Sequence, residues 1–138
     1  MLEFIAARRS ASFLQTPAWA RVKSEWRGER IGFYDGDELT GVGLILYRKL
    51  PKLPRYLAYL PEGPVLDWSR DDIDEHFDAL VAHVKKRQAF AVRVGPAVVH
   101  RMWGTKTIKT AIADDNVTSL TEVAPDAITP EGERVVSV

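Results

Sequence analysis

The feature that most constrains this chain is a polar turn set between two strand-forming runs. Residues 30–34 (RIGFY) and 39–47 (LTGVGLILY) are separated by Asp35-Gly36-Asp37-Glu38. Such a spacing predicts an antiparallel hairpin. The second run is then broken, because Pro51 and Pro54 have no N–H to give to a ladder. Between and beside them Lys49, Lys52 and Arg55 make a basic loop. Residues 56–60 (YLAYL) resume as a third strand and stop at the turn cluster Pro61-Glu62-Gly63-Pro64.

Helical signals flank this sheet. Ser69 followed by Asp72 opens a helix to about Arg87, with Asp71, Asp72 and Asp74 at its start and Lys85, Lys86 and Arg87 at its end. Both groups complement the helix dipole, which accounts for the three aspartates without a metal. Ile73, Phe77, Leu80, Val81 and Val84 form its apolar stripe. Thr16-Pro17 is a second helix start; Trp19, Val22 and Trp26 share a face behind it and Gly28 ends it. Residues 89–94 read as a strand cut off by Gly95-Pro96. Residues 96–113 carry no decisive signal, since Thr105, Thr107 and Thr110 lower helix propensity without forbidding a helix. Thr129-Pro130 starts one more helix near the end of the chain.

Helix, hairpin, strand, helix, strand predicts an α/β (α+β) fold, a mixed and largely antiparallel sheet flanked by helices. By analogy this is also the central run of the acetyltransferase (GNAT)-like fold. With 138 residues the expectation is a single, incomplete domain. Its packed unit would cover about 12–113, with a loosely attached tail over 114–138.

Nineteen Lys and Arg cancel nineteen Asp and Glu, which argues against a dedicated DNA-binding module. The absence of cysteine excludes disulfides, thiolate metal sites and a cysteine nucleophile. His76, His83 and His100 are too few for a histidine-rich metal centre. No signal peptide or membrane-spanning run is visible, so the expected compartment is the cytoplasm. The charges nevertheless fall in blocks, basic to Arg55, acidic over 62–78 and basic again over 85–109. Solvated helix faces or an anion-facing surface both account for that pattern.

No Rossmann or Walker fingerprint occurs; Gly41-Val42-Gly43 lies in a strand rather than at a helix start. The Arg-x-x-Gly-x-Gly/Ala loop that seats a CoA pyrophosphate is missing too. Lys23 follows Trp19 by one helical turn, so its ammonium is either solvated or held on the indole to meet a phosphate. The strand ends before Gly63-Pro64 and Gly95-Pro96 are similar in form. They are either plain turns or the two lips of one cleft.

At these residues the chain resembles a known family. Residues 12–23 (SFLQTPAWARVK) resemble the N-terminal motif of the FemABX-type peptidoglycan bridge aminoacyltransferases. Residues 59–67 (YLPEGPVLD) resemble the family's strand end of tyrosine, Gly-Pro-Val and an acid, and Arg93-Val94-Gly95-Pro96 resembles its later strand end. The resemblance covers roughly 10–100 and implies the first half of a tandem of acetyltransferase-like halves.

What it implies chemically is transfer of an amino acid from aminoacyl-tRNA to the stem peptide of a lipid-linked or nucleotide-linked muramyl-peptide. The donor tRNA would bind through the second half, and no cofactor is expected. The membrane would be touched, if at all, through the substrate. Lys23 matches the lysine that meets the substrate diphosphate, and Trp19, Tyr59, Gly63, Pro64 and Gly95 complete the implied substrate-binding set. Gly95 stands where several relatives carry aspartate, so no acid/base role transfers to it and no catalytic residue is assigned. Two alternatives remain: a GNAT-type acyltransferase with another acyl donor, and a non-catalytic binding domain or fragment.

Overall fold

The structure is a computed structural model describing residues 1–8 and 11–137. β1 (Arg27–Asp35) and β2 (Glu38–Lys49) form the expected hairpin, with Asp35 opposite Glu38 and Gly36 in the left-handed region at φ +58°. β3 (Tyr56–Leu60) adds antiparallel to β2. α3 (Ile73–Lys86) then crosses over and returns the chain as β4 (Ala89–Val94), parallel to β3. Only a long crossover can set two strands parallel, and α3 supplies it. The order β1-β2-β3-β4 is the mixed, mostly antiparallel sheet flanked by helices that the sequence predicts.

β2 is the core strand. Val42, Leu44, Ile45, Leu46 and Tyr47 are all buried, so its burial does not alternate. A strand loses alternation when both faces are covered. On one face α3 lays Ile73, His76, Leu80 and Val84 against the sheet, with the His76 ring 5.6 Å from Phe33. On the other lie the 3-10 turn Phe13–Gln15 and α2 (Pro17–Val22). A short helix, α1 (Leu2–Ala6), buries Ile5 beside Val42 and Val65.

Three local expectations are corrected. The helix begun at Thr16-Pro17 ends at Val22 and does not reach Gly28, so Trp26 has left it and Val22 is 62% exposed. Gly28 lies inside β1 opposite Leu46, where a Cβ would approach the Ala20 methyl at 3.0 Å. It permits close packing of α2 on the sheet instead of capping a helix. Along α3, His76 takes a buried place absent from the expected stripe, while Phe77 is half-buried against Trp68. Asp72 occupies the N-cap position without a side-chain cap; its carboxylate accepts from the Arg70 guanidinium instead.

The chain divides into two compact units, 1–97 and 98–138. In the second unit β5 (Arg101–Met102) pairs antiparallel with β6 (Ala127–Ile128), and α4 (Thr105–Ile112) lies between them in sequence. Asp126 accepts from the Gly104 N–H and the Thr107 hydroxyl and so caps α4. That cap comes from 22 residues away, which is why the threonine-rich run gave no local helix signal. Residues 126–128 are thus paired with 101–107, and α5 (Pro130–Ser137) forms at the Thr129-Pro130 signal.

Candidate substrate-binding face

Lys23 caps the C-terminal end of α2, and its N–H still donates to the Trp19 carbonyl at 2.9 Å. That last turn sets the Lys23 Nζ 5.2 Å above the Trp19 ring, and Phe13 meets the same indole edge-on at 6.2 Å. Lys23 is half-buried and forms no ion pair among the described residues. Its charge is steered by the ring face and is unspent on a carboxylate.

From Lys23 the chain leads directly to a second group. The Trp26 N–H donates to the Lys23 carbonyl, and the Trp26 ring lies 6.2 Å from Tyr59 on β3. Arg93, the register partner of Tyr59 on β4, sits 5.6 Å over the tyrosine ring, and Arg48 of β2 sits 5.5 Å over Trp26. Two arginines and two aromatic rings therefore interleave on the face opposite α3. Nothing local in the sequence gathers Trp26, Arg48 and Arg93 around Tyr59; the register of β2, β3 and β4 and the early end of α2 do. A face of this composition can hold an anion on its cations and a planar or sugar-like group on its rings.

Gly63 and Pro64 play a different part. Both are buried, so they offer little surface to a ligand. A Cβ on Gly63 would fall 2.2 Å from the Gln15 side-chain carbon. Gln15 is fully buried and bridges the sheet: its Oε1 accepts the Leu44 N–H at 2.8 Å and its Nε2 donates to the Pro61 carbonyl at 2.6 Å. Its amide does there what a strand peptide would do. Gln15 lies in the motif at 12–23, yet spacing alone gave it no role. Gly95 differs again: it is exposed, with open space around the place a Cβ would take. Its N–H donates to the Gly63 carbonyl at 3.3 Å. The two Gly-Pro strand ends are thus joined by a hydrogen bond, one closed and one open.

On the α3 face, Glu29 accepts from the Tyr47 hydroxyl and from Arg87, with the His83 ring nitrogen 3.1 Å away. Burial raises the Glu29 pKa, but the three hydrogen bonds outweigh it and hold the carboxyl below its ordinary value. Burial and the bond to Glu29 together push the Tyr47 phenol up. Among the described residues no cluster of His, Asp and Glu could hold a metal, and no helix is long and apolar enough to cross a membrane.

The family model that matches this chain is that of the FemAB family, over residues 2–124. The lipid II:glycine glycyltransferase of Staphylococcus saprophyticus is 33% identical over 98 residues, 69% of this chain and 24% of that protein. Its counterpart in Staphylococcus haemolyticus is 31% identical over 98 residues, 69% of this chain and 23% of that protein. The crystal structure of FemX superposes with a TM-score of 0.63 at 29% identity, covering 80% of this chain and 28% of that one. The chain spans about a quarter of the length of the curated relatives it matches.

Proposed function

Because this chain belongs to the FemAB family, we propose that it carries part of the acceptor site of an aminoacyltransferase that builds peptidoglycan cross-bridges. In the reaction, an amine of the acceptor stem peptide attacks the ester carbonyl of an aminoacyl-tRNA. The tetrahedral oxyanion then collapses, an amide forms and the tRNA ribose hydroxyl leaves. Such a step needs positioning of the amine and stabilisation of the oxyanion more than it needs a strong base. The acceptor is a lipid-linked muramyl-peptide, a reading supported by the name lipid II:glycine glycyltransferase that the relatives carry.

Lys23 meets the acceptor's diphosphate, Trp19 orients the lysine, and Tyr59 lines the same face beside Arg93. Gly63, Pro64 and Gly95 shape the backbone at its edge. The observation that carries this reading is the Lys23 ammonium, held 5.2 Å over Trp19 with no ion-pair partner among the described residues.

The test is the affinity for a soluble, nucleotide-linked muramyl-pentapeptide measured by calorimetry. A charge-assisted contact contributes roughly 1.5–3 kcal/mol, so Lys23→Ala should weaken binding about ten- to hundredfold. Lys23→Arg keeps the charge and should lose less. Equal affinities for wild type and Lys23→Ala at matched ionic strength would remove Lys23 from the site.

A further inference from the structure

The loop between β2 and β3 has no part in that face. With the strand ends around it, it carries Lys49, Lys52 and Arg55, and no acid occurs between Glu38 and Glu62. Lys49, Lys52 and Arg55 are exposed and none forms an ion pair among the described residues. The loop is stiff as well as basic. The Leu50 N–H donates to the Arg55 carbonyl at 2.9 Å and closes it, while Pro51 and Pro54 fix φ on either side of its tip. At that tip Leu53 is 55% exposed.

An aliphatic side chain held out in water between unpaired cations is satisfied by a surface that offers negative charge outside and hydrocarbon beneath. We propose that residues 49–55 dock this protein on an anionic lipid bilayer, with the cations at the headgroup phosphates and Leu53 at the headgroup–acyl boundary. A single-stranded RNA would use the same cations, but it also stacks its bases on aromatic rings. The loop has none; its exposed apolar group is a leucine. The proposal rests on the loop and does not depend on the acceptor reading.

The test is co-sedimentation of the full chain with vesicles of phosphatidylcholine, with and without phosphatidylglycerol. Binding should require phosphatidylglycerol and fall with added salt. Each surface cation near such a membrane contributes about fivefold in partitioning, so Lys49→Gln/Lys52→Gln/Arg55→Gln should weaken binding about a hundredfold. Leu53→Ser should lower it several-fold at unchanged charge, and Lys85→Gln/Lys86→Gln on α3 should leave it intact. Circular dichroism on each variant confirms the fold, which an exposed loop should not disturb. Equal binding to neutral vesicles, or equal losses in the loop and α3 variants, would overturn the docking. An unchanged Leu53→Ser would overturn the insertion. A loop-dependent grip on an RNA oligomer by a chain that ignores both vesicles would assign the surface to nucleic acid instead.

Discussion

Gln15 and Pro61 are joined across 46 residues of chain by a 2.6 Å hydrogen bond from the glutamine amide to the proline carbonyl. β3 has ended at Leu60, and beyond it the sheet would otherwise leave both the Pro61 carbonyl and the Leu44 N–H without these partners. One primary amide, with a donor and an acceptor, serves both. It also fixes the 3-10 turn Phe13–Gln15 against the strand that leads to Gly63.

Replacing Gln15 by leucine keeps the volume and deletes both bonds. Each buried group left unpaired costs about 1–3 kcal/mol, so the variant should lose roughly 2–6 kcal/mol in urea denaturation. A loss well under 1 kcal/mol would mean that water enters and substitutes for the amide.

The two Gly-Pro strand ends should respond oppositely to an added methyl. Gly63→Ala drives a Cβ to 2.2 Å from the Gln15 side chain, and overpacking of this kind costs about 1–3 kcal/mol. Gly95→Ala meets no atom within 4 Å and should leave the urea midpoint within error. If Gly95→Ala lowers precursor affinity while stability holds, the open end borders the acceptor site.

Glu29 makes stability depend on pH. Its carboxyl is held below the ordinary value near 4.5, so its contribution is complete above that pH and is lost as pH falls through the lower, folded value. Glu29→Gln should therefore cost about 1.5–3 kcal/mol at neutral pH, the usual worth of hydrogen bonds to a charged group. The gap between the two urea midpoints should close on acidification below about pH 4.5. A gap that stays constant down to pH 2 would mean that Glu29 acts by shape and not by charge.

Acetyl-CoA should not bind. A pyrophosphate needs free N–H groups at a helix start, and at the start of α4 the Asp126 carboxylate, held below its ordinary pKa by its bonds, already takes the Gly104 N–H and sets a negative charge there. The first turn of α3 adds Asp74 and Glu75, which would repel an anion. A micromolar dissociation constant by calorimetry would favour a CoA-dependent acyltransferase over an aminoacyl-tRNA enzyme.

Much of the candidate face was legible from short-range signals, and the rest could not have been. Lys23 and Trp19 are four residues apart, so helical spacing was enough to bring them together. Tyr59 was picked out by its motif, but its neighbours Trp26 and Arg93 lie 33 and 34 residues away on either side in the sequence. Their meeting follows from the parallel register of β3 and β4 and from α2 ending early.

The sequence by itself determined the elements whose causes are local. The polar turn at 35–38, the prolines at 51 and 54, and the charge order along 71–87 set the hairpin, β3 and α3, because each acts within a few residues. Only the tertiary structure decided that Gln15 completes the sheet, that Gly28 is a packing position and that Asp126 caps α4. Each depends on groups brought together from distant parts of the chain, and a buried polar group or a missing Cβ has meaning only once its neighbours are in place.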